Sequence, residues 1–251
     1  MNKKLAKKLA ALLAGGAIMI SASASTAQPI RTPEGNMPMV HWAVIESAPG
    51  SMQEMAEIAA QTVGAQTAKE AGTYALYSGV EEDNPDVMRL LEIYESFEAY
   101  RIHCSSEAFQ EYRARRLPLL KNLEIIEADA VVFEQKAEGE GSAVYMYRYE
   151  VRPERLAEYQ KAVKEEAVRA VRDDEGVLGI FVTADHRAPN IIYTMEIFRD
   201  EAAYQRYVES KAYAEYLPKL SSIFLNAEGI KNKPARVVLS AKGLQKPEYR
   251  P

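Results

Sequence analysis

The feature that most constrains this chain is that it contains one stretch twice. Arg89 to Tyr112 reads RLLEIYESFEAYRIHCSSEAFQEY, and 104 positions later Tyr193 to Tyr216 reads YTMEIFRDEAAYQRYVESKAYAEY. Without a gap, Glu92 falls on Glu196, Ala99 on Ala203, Tyr100 on Tyr204, Ser106 on Ser210 and Tyr112 on Tyr216. The register holds outside the stretch: Pro49 meets Pro153, Gly72 meets Gly176, Pro85 meets Pro189 and Asn122 meets Asn226. A period this long is a duplicated domain, since the repeats of solenoids are far shorter. The 251 residues therefore divide into two copies of one unit.

Each copy reads β-α-β-β-α-β. Met39 to Glu46 is strand-like. Ser51-Met52-Gln53-Glu54 has the form of a capping box, and Met52, Met55, Ala59 and Val63 follow at helical spacing. Leu156, Tyr159, Val163, Ala167 and Ala170 do the same in the second copy. Gly72 and Gly176 stand where glycine often caps a helix C-terminus. Thr73–Val80 and Val87–Tyr94 read as strands around the turn cluster Glu81–Asp86. A short helix from Phe97, another capped by Ser105 or Ser106, and a closing strand Ile125–Phe133 complete the unit, which the second half repeats to Val238.

The fold class is therefore α+β, two tandem ferredoxin-like repeats. Their helices cover one face of each sheet, and the other face needs its own cover. The strand Val87–Tyr94 is largely apolar on both faces, which implies burial on both. The economical cover is the equivalent sheet of the other copy, giving an α+β barrel within one chain. The expectation is that the bare sheet faces enclose an apolar chamber with the functional residues near its mouth. The expected domains are 38–136 and 143–240, joined by the Gly-rich acidic linker 137–142, after a flexible lead-in 25–37 and before a polar tail 241–251.

The first 27 residues have the form of a signal peptide. Lys3, Lys4, Lys7 and Lys8 precede an apolar run from Leu9 to Ile20, and Ala22-Ser23-Ala24 or Ala27 offers a cleavage point. The expected location is the periplasm or the medium, with no stable membrane anchor once the signal is removed. Cys104 is the only cysteine, so an intramolecular disulfide is impossible even there. A net charge of −5 provides no basic footprint for nucleic acid. Fifteen Tyr against six Phe and one Trp favour a partly wet pocket or interface.

Several stretches resemble the antibiotic biosynthesis monooxygenase family. They are Glu92-Ile93-Tyr94-Glu95-Ser96 at a strand end, then Ala99, His103, Ser106 and Phe109 at helical spacing. Ser47-Ala48-Pro49-Gly50 and Glu70-Ala71-Gly72-Thr73 add looser matches. The second half keeps Val151-Arg152-Pro153, Glu175-Gly176, Glu196, Phe198, Asp200, Ala203, Ser210 and Tyr213, but has Tyr207 where the first has His103. The resemblance covers most of residues 38–240. It implies paired split β-α-β units in a dimeric α+β barrel. It also implies oxidation without a cofactor, in which a phenol or hydroquinone is deprotonated and its anion reacts with dioxygen.

Several residues fit that chemistry. The three histidines, His41, His103 and His186, have no metal-ligand spacing, and there is no G-x-G-x-x-G, P-loop or G-x-S-x-G. His103 is the candidate base, because a free imidazole titrates near neutral pH; its alternative role is a surface or capping histidine. Glu92 and Glu196 share strand faces with apolar neighbours, so each is either a substrate-orienting carboxyl or a group that fixes the fold. Trp42, Tyr74, Tyr94, Phe109 and Tyr207 are the candidate pocket wall for an aromatic ligand, although aromatic residues in strands usually belong to the core. Arg113, Arg115 and Arg116 read as a solvated face, and Cys104 as a small packing residue.

The leading reading is an exported, cofactor-independent monooxygenase whose partners are a small hydrophobic aromatic substrate, a quinol or related phenolic or polycyclic compound, and dioxygen. Its competent half carries His103. A non-catalytic binding module for a small hydrophobic ligand is the rival. Haem binding or degradation is a third reading; the family's haem-degrading members carry Trp where this chain has His103, and His where it has Arg113. Further dimerisation of the tandem unit is left open.

Overall fold

The computed structural model describes residues 30–64, 66, 69–234 and 237–239. The signal segment and the polar tail 241–251 lie outside the described residues. The first copy runs β1 (Met39–Ser47), α1 (Met52–Ala59), β2 (Thr73–Glu81), β3 (Val87–Tyr94), α2 (Phe97–Ser105), α3 (Glu107–Arg116) and β4 (Leu120–Gln135). A two-residue strand β5 (Glu140–Gly141) lies in the linker and pairs with β10 (Val237–Val238). The second copy runs β6 (Ala143–Val151), α4 (Leu156–Asp173), β7 (Val177–Asp185), β8 (Ile191–Phe198), α5 (Glu201–Glu209), α6 (Lys211–Ser221) and β9 (Phe224–Lys233). Among the described residues no helix is long and apolar enough to cross a membrane.

The sheets close on each other in the order β1-β3-β2-β9-β6-β8-β7-β4, a barrel of antiparallel strands. Closure removes the sheet edges that would otherwise pair with other chains. The two seams are unequal. Strand β4 runs along β7 from Ala128 opposite Asp185 to Gln135 opposite Gly179. The other seam is short, with Val80 opposite Lys233 and Glu81 opposite Asn232.

The alternation of side chains decides where a site can sit. On β1, Val40 and Trp42 enter a cluster with Leu91, Ile93, Met146, Phe181 and Met195, filling the space between the sheets. Trp42 Nε1 donates to Thr183 Oγ1 of the other half at 2.8 Å, a buried bond across the barrel. The expected open chamber is therefore mostly solid. A small cavity of about 40 Å³ remains there, lined in part by Trp42, Arg89, Arg148, Tyr193 and Glu228. The intervening residues of the same strands, among them His41, Glu92, Tyr147 and Glu196, face the helices.

Local chemistry explains these elements and corrects several expectations. Ser96, Ser106, Asp200 and Ser210 cap α2, α3, α5 and α6, each accepting from the backbone N–H three residues on. Ser51 makes no such bond and is itself helical, so the capping box is not formed. Helix α1 ends at Ala59 and passes into a π-turn, Ala60–Gly64, well before Gly72.

Gly72 and Gly176 are not left-handed caps, since neither has a positive φ. They are required by close approach: a Cβ on Gly72 would lie 2.6 Å from Ala99 Cβ, and one on Gly176 would lie 2.5 Å from Ala203 Cβ. A bulge between Thr73 and Ala75 brings Tyr74 and Tyr77 into the same inter-sheet cluster, where simple alternation separates them. The lead-in is pinned from Ile30 onward: Ile30 is buried, and Thr32 and Asn36 donate to Glu95 Oε1 at 2.6 and 3.2 Å.

Candidate functional site

The first half gathers its polar groups between sheet and helices. His103, on α2, is buried, and its Nδ1 lies 2.6 Å from Glu70 Oε2. The same oxygen accepts from Thr73 Oγ1 at 2.8 Å. A carboxylate on Nδ1 fixes the proton there and leaves Nε2 as the accepting atom. Glu70 stands just before β2, and Gly72 lets α2 pack close enough for the pair to form.

Glu92 on β3 accepts from Tyr94 Oη at 3.0 Å. Burial pushes its carboxyl up to about 7, opposed by the Tyr94 hydrogen bond and the charge of Arg116. It is thus a carboxyl that exchanges its proton near neutral pH.

Rings connect these groups. Tyr94 lies 5.5 Å from His103, and His103 meets Phe109 edge-on at 5.2 Å. Tyr94 also meets Tyr100 at 5.3 Å, which packs edge-on against His41 at 5.0 Å. His41 sits directly across from Glu92 on the neighbouring strand, and its Nδ1 is buried without a hydrogen-bond partner among the described residues. Burial lowers its pKa, against the raising effect of Glu127, so the imidazole is held neutral.

Of the residues singled out from sequence, His103, Glu92, Tyr94 and Phe109 come together here. Trp42 and Tyr74 do not, because both belong to the cluster on the opposite face of the sheet, and Tyr74 Oη is bonded to Glu95 and Glu34. Glu70, His41 and Arg116 were missed. Arg116 is not on a solvated face: it is buried, its guanidinium stands 4.7 Å over the Tyr112 ring, and its charge reaches Glu92. Cys104 is partly buried, with its thiol pushed up mainly by burial.

The second half arranges the same positions differently. Tyr207 replaces His103, and its hydroxyl donates to Glu166 Oε1 at 3.1 Å. Arg169 donates to both oxygens of Glu166, at 2.9 and 2.6 Å. Asp174, at the position of Glu70, accepts instead from the Gly176 N–H at 2.8 Å. Leu220 takes the place of Arg116. Glu196 is consequently pushed up to about 8, first by burial and then by the charge of Glu166. It lines a cavity of about 30 Å³ with Tyr207 and several further tyrosines.

A family model describing antibiotic biosynthesis monooxygenase matches twice, over residues 38–115 and 143–219. The chain belongs to the antibiotic biosynthesis monooxygenase family. Structures similar to this one include a candidate monooxygenase from Lactobacillus acidophilus NCFM, with a TM-score of 0.76 at 16% identity over 84% of this chain and 99% of that one. Another, from Fusobacterium nucleatum subsp. nucleatum ATCC 25586, gives 0.75 at 17% identity over 84% and 98%. An anthrone oxidase-like protein gives 0.53 at 12% over 84% and 96%. At such identities the likeness is one of fold. No curated protein matches the sequence. Among the described residues no group of three His, Cys, Asp or Glu side chains could hold a metal ion.

Proposed function

We propose that this family member is an exported monooxygenase that oxidises a quinol, or a related phenolic or polycyclic aromatic compound, with dioxygen and no bound redox cofactor. The observation that carries the reading is the buried His103–Glu70 pair at 2.6 Å, beside the Tyr94–Glu92 bond, in the half that retains the histidine. In this reading a substrate hydroxyl gives its proton to His103 Nε2, and Glu70 steadies the imidazolium that forms. The quinolate then passes electrons to dioxygen. For a dihydroxynaphthalene, one dioxygen yields a hydroxynaphthoquinone and one water, so the substrate supplies all four electrons. The proton held on His103 leaves with the oxygen atom released as water. Glu92, protonated below about pH 7, donates to a substrate oxygen and orients the ring.

The second half, with Tyr207 in place of the base, is read as non-catalytic. Oxygen uptake above the uncatalysed rate, measured with a panel of quinols and phenols, tests the reading. His103→Ala should remove the excess, and uptake unchanged in that variant overturns it. Export rests on the leader alone; protein recovered from a bacterial periplasm should begin after Ala24 or Ala27. A mature chain that still begins at Met1 and stays in the cytoplasm refutes that part.

A further inference from the structure

The cavity of the second half holds groups that the proposed oxidation leaves unused. Glu196 has no hydrogen-bond or ion-pair partner among the described residues, although it is half-buried between sheet and helices. Two hydroxyls on the wall, Tyr159 Oη and Thr194 Oγ1, are buried and without a partner. Their residues are 1% and 3% exposed. Polar groups this deep are ordinarily satisfied, so the two hydroxyls beside the Glu196 carboxyl mark a place built for something else.

The charges around Glu196 indicate what it lacks. Glu166, across the cavity, is already neutralised by Arg169 and bonded by Tyr207. Among the described residues no cation offsets Glu196, because Leu220 occupies the position where the first half has Arg116. The remaining wall is aromatic. Tyr149 stacks in parallel on Phe224 at 4.5 Å and on Tyr147 at 5.7 Å, and Tyr213 closes edge-on against Tyr207 at 4.9 Å. Electron-rich rings around one uncompensated carboxyl lack a single positive charge. That is the chemistry that recognises organic ammonium groups. Burial favours the protonated Glu196 carboxyl, and a bound ammonium takes over the place of that proton, which is released to solvent.

We propose that this cavity binds a small organic cation, a primary or alkylated ammonium head group set among the tyrosines against Glu196. The partly open cavity of about 30 Å³ has room for roughly two waters, or one compact head group. Tyr213 and Tyr216 on α6 are only half-buried and form the wall that yields to a larger one.

The test is calorimetric titration of the full chain with methylammonium, with choline, and with 3,3-dimethylbutan-1-ol, the uncharged carbon isostere of choline. Choline should bind at least about tenfold more tightly than the isostere, the scale of a desolvated cation–ring contact. Glu196→Gln, which keeps the shape, should erase that preference, and Tyr159→Phe should weaken choline severalfold. His103→Ala, in the other half, should leave choline binding intact, so this site and the oxygenase reading stand or fall separately. Equal affinity for choline and its isostere, no heat from either cation at millimolar concentration, or a preference that survives Glu196→Gln overturns the proposal.

Discussion

Glu70→Gln isolates the contribution of the carboxylate behind His103, the proposed base. In the wild-type chain one oxygen of Glu70 takes both the His103 Nδ1–H at 2.6 Å and the Thr73 hydroxyl at 2.8 Å. Glutamine is nearly isosteric, so packing survives, but the negative charge is lost. If the amide oxygen faces His103, the tautomer is kept and the imidazolium loses its counter-charge. If the amide nitrogen faces it, Nδ1 must accept and Nε2 carries the proton, which removes the base altogether.

A unit charge about 4 Å from the imidazolium is worth roughly 4 kcal/mol at an effective dielectric of 20. Allowing for partial replacement by a neutral hydrogen bond, the barrier to proton abstraction should rise by about 2–4 kcal/mol. That is a fall in kcat/KM of roughly 30- to 1,000-fold. Thr73→Val removes one neutral bond to the same oxygen and should cost less than about tenfold. The assay is oxygen uptake with the best quinol, alongside ¹⁵N spectra of labelled histidine that report which ring nitrogen of His103 carries the proton. A folded Glu70→Gln protein within about threefold of wild type in kcat/KM refutes the argument that the pair activates the substrate.

The remaining predictions use the duplication as an internal control. Glu196 releases its proton near pH 8 in the fold and near 4.5 when unfolded. Its contribution to stability is therefore fully present in acid and lost as pH rises through about 8. Glu196→Gln should match wild type below about pH 4 and exceed it by about 1–3 kcal/mol near pH 9 in denaturant titrations, below the full linkage value because water reaches the cavity; no gain at high pH counts against a buried acid there. Arg116→Leu copies the second half's residue into the first and should raise the titration of Glu92 from about 7 towards the value near 8 of Glu196, read by infrared carboxyl bands; an unmoved titration removes Arg116 from the site. Gly72→Ala and Gly176→Ala should each cost about 1–3 kcal/mol, because the new methyl lands on Ala99 or Ala203. Only Gly72→Ala should also lower oxidation, since it pushes α2 and His103 away from Glu70; equal effects of the two on activity contradict the assignment of chemistry to one half.

The architecture was readable because the repeat needs no gap and because β3 is apolar on both faces, which leaves little choice but sheet against sheet. What sequence could not give was depth. Arg116 sits in a run of arginines that looks solvated, yet it closes α3 one turn past Tyr112, on the buried side of that helix, and its guanidinium lies over the Tyr112 ring. Tyr74 and Tyr77 share a face because of one bulge, which period-two counting cannot see. The glycines were visible, but their reason is the approach of Ala99 and Ala203 and not a left-handed turn. Glu70 had a usable signal: it stands in the half with His103, and the second half has a shorter acid, Asp174, in its place. Set residue beside residue, the two halves differ both at Glu70 and Asp174 and at His103 and Tyr207.

Placing the site on the helix-covered faces changes what the duplication achieves. Had the reactive groups lined the space between the sheets, both copies would share one chamber, and a change in either would alter the chemistry of both. Instead the Trp42–Thr183 bond and its surrounding apolar cluster fill that space, so the polar groups of each copy lie against its own helices, apart from those of the other. Substitution in one compartment then leaves the other's geometry intact. His103 with Glu70 can become Tyr207 with Glu166, and Arg116 can become Leu220, while the barrel between them stays packed. Separation by a solid core is the physical condition under which one chain can keep a base in one half and an acid among tyrosines in the other.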